Sequence, residues 1–159
     1  MIQGKEEFKL KYREKFMKMH GKKVEEGTDL DKYLAMAGLV REELTGDWIE
    51  CNHKYGQSGE KQVYYFSMEF LLGRLLNGNL TNLGIRDMAA EGLQEMEIDL
   101  SRLEEQEPDA GLGNGGLGRL GACFLDSMAS LPIAGHGCSI RYRYGMFKQK
   151  IVDGFQVEL

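Results

Sequence analysis

Apolar positions recur at helical spacing from the start of the chain. Phe8, Tyr12, Phe16 and Met19 share one face of a predicted helix that Gly21 stops, with lysines on the opposite face. Thr28 and Asp31 then stand in a capping-box relation, and Leu30, Tyr33, Leu34, Ala37, Val40, Leu44 and Trp48 form a stripe that predicts a long second helix. The break "GQSGEK" follows. Val63 to Met68, "VYYFSM", is rich in β-branched and aromatic residues and predicts a buried strand. Glu69 comes directly after it, near the strand's carboxyl end, and "LLGRLLNGNL" returns to helical spacing. Shorter helical patterns cover Ile85 to Met96 and a segment from near Asp99 that stops before Pro108. Leu117, Leu120, Phe124, Met128 and Leu131 make a further helical stripe, ended by Pro132. Ile140, Tyr142 and Tyr144 alternate with Ser139, Arg141 and Arg143 as in a strand, "VDG" marks a turn, and "FQVEL" begins another strand-like run. The expected chain is mainly α-helical with a few short β-strands.

The 159 residues and 42% hydrophobic content are enough for a packed core. A formal charge of −5 argues against general nucleic-acid binding, so an anionic ligand would have to be met by local groups. No window is apolar enough to cross a bilayer, and the charged opening lacks the core of a signal peptide, so no membrane partner and a cytoplasmic location are expected. Cys51, Cys123 and Cys138 lack a C-x-x-C pairing and read as reduced packing residues. His53 near Cys51 fits no zinc spacing, and no metal is assigned. No repeat or linker divides the sequence. It reaches Leu159 inside a strand-like run without a cap or polar tail, which predicts the front part of a longer protein.

The candidate chemistry lies in "EPDAGLGNGGLGRLGACFLDSMASLP", which packs six glycines from Gly111 to Gly121 while its second half reads as an apolar helix. Two overlapping G-x-G-x-x-G matches begin at Gly111 and Gly113, but the acidic, proline-broken residues upstream do not read as the strand that a dinucleotide-binding turn needs. A phosphate loop also fails, because Arg119 and Leu120 follow Gly118. What remains is a glycine-paved helix start. Backbone N–H groups of Gly115, Gly116, Leu117 and Gly118 would line a seat for a phosphate, a sugar hydroxyl or both. The competing reading is a loop needed for close helix packing or positive φ. Glu69, likewise, reads from spacing alone as a solvated strand cap.

The segments "YLAMAGLVREELTGDWI", "VYYFSMEFLLGR", "DAGLGNGGLGRLGACFLDSMASL" and "IRYRYGMFKQKIVDGFQVE" resemble the α-glucan phosphorylases, the glycogen, starch and maltodextrin enzymes. The resemblance covers nearly all of the chain beyond its first twenty or so residues. It implies an α/β parent of the two-lobe GT-B type with Rossmann-like lobes and an active site in the cleft between them. Residues 1–159 would be the N-terminal part of the first lobe, with helices over 1–58 and the glycine loop and start of the α/β lobe over 59–159. The implied activity is pyridoxal-phosphate-dependent phosphorolysis of terminal α-1,4-linked glucose to glucose 1-phosphate with retention, the cofactor's phosphate taking part in proton transfer.

The resemblance also assigns roles. Gly115 and Gly116 match loop glycines whose helix-end amides approach phosphates, Leu117 matches the residue whose N–H contacts glucose, and Glu69 matches an active-site glutamate. Asn114 has a shaping role, and Gly118 belongs to the same binding loop. The implied partners are α-1,4-glucan, inorganic phosphate and glucose 1-phosphate, with a homodimeric parent. No segment resembles the surroundings of the family's cofactor lysine, so this chain is expected to bind no pyridoxal phosphate, to be inactive alone and to self-associate. The first serine is Ser58, and the nucleotide-site residues of the animal enzymes are not reproduced around Asn52 to Gly56, which implies a bacterial-type enzyme. Leu71 replaces a tyrosine that lies near the cofactor phosphate in animal forms. A stand-alone helical module binding an anion or a protein is the alternative from another class. A sugar-nucleotide glycosyltransferase fits the quoted segments less well.

Overall fold

A computed structural model describes residues 2–131, 133–143 and 148–159. The chain forms two compact units, one from 1–59 and 74–109, the other from 60–73 and 110–159.

The first unit is helical. Helix α1 (Lys5–His20) buries Phe8, Tyr12 and Phe16, and Gly21 closes it with an amide bonded to the Met17 carbonyl. The Tyr12 hydroxyl donates to the Lys32 carbonyl at 3.1 Å, so the one polar atom on this face is satisfied. After a 3-10 turn (Val24–Glu26), α2 (Asp29–Ser58) starts at Thr28, whose side chain accepts from the Asp31 amide while Asp31 accepts from the Thr28 amide. Helices α3 (Leu76–Asn82), α4 (Arg86–Gln94) and α5 (Leu100–Glu105) complete the core through Leu80, Leu93 and Leu103.

Two expectations change for α2 and α3. The buried face of α2 is Ala35, Met36, Leu39 and Val40, whereas Leu30, Leu34 and Trp48 are exposed, Trp48 to 68%. Small residues decide the face: a Cβ on Gly38 would lie 2.8 Å from Lys15 Cε, so α1 crosses where α2 is thinnest. Helical spacing in "LLGRLLNGNL" also starts later than the pattern suggests, because Leu71 and Leu72 lie in a strand and α3 begins at Leu76.

The second unit carries the strands. Strand β1 (Val63–Phe66) pairs in parallel with β4 (Gly135–Cys138), Val63 opposite Gly135 and Phe66 opposite Cys138. Strand β2 (Phe70–Gly73) runs antiparallel to β3 (Ala110–Leu112), with a register irregularity between Leu71 and Gly73. Helix α6 (Gly116–Ser130) follows β3. The hairpin of β5 (Gln149–Val152) and β6 (Phe155–Glu158) turns at Asp153 and Gly154, with φ of 51° and 81°, as "VDG" predicts.

Here the expected alternating strand at Ile140 and Tyr142 is displaced to "GHGC", and Tyr144 lies outside the described residues. Glycines make that strand because α6 lies against it: a Cβ on Gly135 would come 2.6 Å from Met128 Sδ, and one on Gly137 3.2 Å from Leu125 Cδ1. Strand β1 is not buried either; Phe66 is 78% exposed. Helix α6 itself forms as expected but turns Gly118, Gly121 and Ala122 inward, leaving Leu117, Leu120, Phe124 and Leu131 of the predicted stripe exposed.

Candidate functional site

Glu69 occupies the bend between β1 and β2. The Ser67 hydroxyl braces this bend by donating to the Glu69 carbonyl at 2.8 Å and accepting from the Glu69 amide at 3.2 Å. The carboxylate therefore leaves the bend in a fixed direction, towards the glycine loop. Its Oε1 accepts the Asn114 N–H at 3.2 Å.

The loop is shaped to take that side chain. Gly113 has a φ of 98°, and a Cβ there would lie 2.5 Å from Glu69 Cδ, so both the backbone conformation and the space require glycine. A Cβ on Gly118 would meet Glu69 Cβ at 2.9 Å and Leu71 Cγ at 3.0 Å, and one on Gly121 would lie 3.2 Å from the Phe70 ring. Helix α6 thus rests directly on β2. At its start the φ of Gly115 is −122°, and among the described residues no side chain caps the helix. The Gly118 amide bonds back to the Gly115 carbonyl at 3.1 Å, while the first-turn amides of Gly116 and Leu117 have no acceptor within a helical ladder.

The two kinds of glycine answer the question left open by spacing. Gly113 and Gly118 serve packing around Glu69 and Leu71. A Cβ on Gly116 would meet nothing within 4 Å among the described residues, and Leu117 is 73% exposed, so these positions are open. The result is a neutral donor pair at a positive helix end, flanked by one carboxylate acceptor: a Cβ on Gly115 would sit 3.4 Å from Glu69 Oε2. Such a mixed set can hold a polyhydroxy ligand by donating and accepting at once.

Glu69 and the loop residues 113–118 are brought together as a group. Strand β3 corrects the expectation of no strand ahead of the loop: Ala110 to Leu112 pair with β2. Because that pairing is antiparallel, the unit still differs from a dinucleotide-binding βαβ turn. A shallow cavity of about 450 Å³ at the carboxyl ends of β1 and β4, lined by Phe66, Met68 and Ile140 among others, includes none of the expected site residues.

Two supporting residues had no clear sequence signal. Arg119 reaches back to the Leu71 carbonyl at 3.3 Å, at the irregularity in β2. Glu107 holds the Leu75 and Leu76 amides. Both act on backbone atoms more than thirty residues away, which local patterns do not register. Among the described residues no group of His, Cys, Asp and Glu could hold a metal, and no helix is long and apolar enough to cross a membrane.

Residues 93–159, including the loop and α6, match the sequence model of the carbohydrate phosphorylases. All 159 residues align with the glycogen phosphorylase of Bacillus subtilis (strain 168) at 52% identity, across 20% of that protein. Over 131 residues, 82% of the chain, it is 52% identical to the brain form of glycogen phosphorylase from Bos taurus and 52% identical to the human liver form, covering 16% of each. The chain belongs to the glycogen phosphorylase family and spans a fifth or less of the length of these relatives.

Proposed function

We propose that this chain forms one wall of the active site of an α-1,4-glucan phosphorylase, as the N-terminal part of its first lobe. Such an enzyme transfers a terminal glucose of an α-1,4-glucan to inorganic phosphate, releasing glucose 1-phosphate with retained configuration. The observation that carries this reading is the start of α6, where the open amides of Gly116 and Leu117 lie beside a loop folded around Glu69.

On this reading the residues have separate tasks. Gly115, Gly116 and Leu117 present amides to phosphate oxygen and glucose hydroxyl, stabilising negative charge with dipoles already fixed before substrate arrives. Asn114 holds the loop through its amide bond to Glu69. Gly118 allows α6 to sit on β2, which fixes the direction in which the amides point. Glu69 shapes the loop and offers an acceptor to sugar hydroxyls.

Pyridoxal phosphate is the cofactor implied by the family. The uncapped amides fit a phosphate group, and Gly116 leaves space for one, so Gly115 to Leu117 are the residues of this chain that would face it. When bound, that group supplies a phosphate that exchanges a proton with the substrate phosphate. The lysine that anchors it is assigned to the second lobe, so the 159 residues alone are inactive. The parent acts in the cytoplasm as a homodimer.

The test is phosphorolysis of maltodextrin, with added pyridoxal phosphate, by the 159-residue chain and by the product of its complete reading frame. Glucose 1-phosphate released only by the longer product is expected. Its release by neither would remove the proposed chemistry.

A further inference from the structure

The β2–β3 ladder ends on the pair of Gly73 and Ala110, and the chain between them leaves and returns at that point. One residue further out, Arg74 Nε lies 3.8 Å from Asp109 Oδ1. Beyond that pair, both oxygens of Glu107 are engaged: Oε1 accepts the Leu75 N–H at 2.8 Å and Oε2 the Leu76 N–H at 2.9 Å. A carboxylate gripping two consecutive amides makes two charge-assisted bonds and fixes the direction of approach. Pro108 adds to this, because its ring biases the preceding Glu107 towards an extended backbone.

The ladder needs such help. It is three rungs long and irregular between Leu71 and Gly73, and short, interrupted pairings specify their register weakly. A one-residue slip of β3 would move Asn114 away from Glu69, whose carboxylate its amide now meets.

We propose that Glu107 is a positioning residue for the glycine loop. By gripping the Leu75 and Leu76 amides it fixes where the returning chain begins, three residues ahead of β3, and so sets the register that delivers Asn114 to Glu69. A helix cap on α3 alone would account for the two bonds but would leave the loop indifferent to their loss. The inference rests on the proposed function only for its catalytic consequence; the clamp itself is a matter of structure.

Amide hydrogen exchange followed by NMR on the chain, in wild type, Glu107→Gln and Glu107→Ala, separates these roles. With Glu107→Ala, the β2 and β3 ladder amides and the Asn114 amide are expected to exchange about tenfold faster while core amides of α1 and α2 keep their rates. Glu107→Gln keeps one acceptor oxygen at the same reach and is expected to recover most of that protection. Acceleration confined to Leu75 and Leu76 would reduce Glu107 to a helix cap, and uniform acceleration across the chain would reduce it to general stability; either overturns the proposal. If Glu107→Ala fails to fold, Glu107→Asp, too short to span both amides, is read in the same way. Exchange requires no turnover, so an absence of phosphorolysis and a failure of the clamp are seen separately.

Discussion

The Asn114 amide donates to Glu69 Oε1 at 3.2 Å, joining residues 45 positions apart. This bond turns a flexible glycine run into a defined helix start. Glu69 is the inner surface around which the loop is wrapped, and the open amides lie just beyond it.

Gly113 and Gly116 should therefore respond in opposite ways to an added methyl group. Gly113→Ala forces a Cβ into the Glu69 side chain at a φ of 98° and is expected to lose about 2 kcal/mol or more of stability. Gly116→Ala places its methyl in open space within α6 and should change stability by no more than about 0.5 kcal/mol. Urea denaturation of the two variants checks this, and equal losses would contradict the assigned roles.

The helical unit should depend on Phe16 far more than on Trp48. Phe16→Ala empties a fully buried site and is expected to cost about 3–5 kcal/mol. Trp48→Ala should stay within about 0.5 kcal/mol, because the indole is exposed. The same denaturation midpoints decide the matter.

Acid should loosen α1 from α4 through Glu95. Hydrogen bonds from Lys5 and Lys9, at 2.6 and 2.5 Å, hold its carboxyl down to about 2 from a usual 4.5. A depressed carboxylate stabilises the fold above its unfolded pKa and loses that contribution as pH falls from 4.5 towards about 2. The melting difference between wild type and Glu95→Gln should be present at neutral pH, shrink across that window and diminish in high salt, since the pairs are near the surface. A difference independent of pH would contradict the assignment.

Exposed Phe66, Met68, Leu117 and Phe155 leave the second unit with uncovered apolar surface. A parallel strand pair such as β1 and β4 is ordinarily covered on both faces. Sedimentation of the chain is expected to show mass rising with concentration, and a single monomeric species at all concentrations would contradict this.

Much of this was legible from local signals. Thr28 with Asp31, Gly21, and Asp153 with Gly154 each act within a few residues, and each marks its element where the structure has it. What escaped was set by close approach between distant segments. The face of α2 follows Gly38, and every second residue of β4, Gly135 and Gly137, is glycine where Met128 and Leu125 press on it. Apolar size, on which periodicity depends, says nothing about positions chosen for being small. The glycine loop was visible as a loop, but the division between packing glycines and open ones depends on where Glu69 reaches.

The most direct measurement is the phosphorolytic kcat/KM of the complete reading-frame product carrying Gly116→Ala, beside its wild type and with urea midpoints taken on both. A loss of about a hundredfold with the midpoint unchanged is expected, because the methyl group stands where phosphate or sugar must approach the amides. Wild-type activity in this variant would contradict the assignment of the α6 start as the substrate-facing wall.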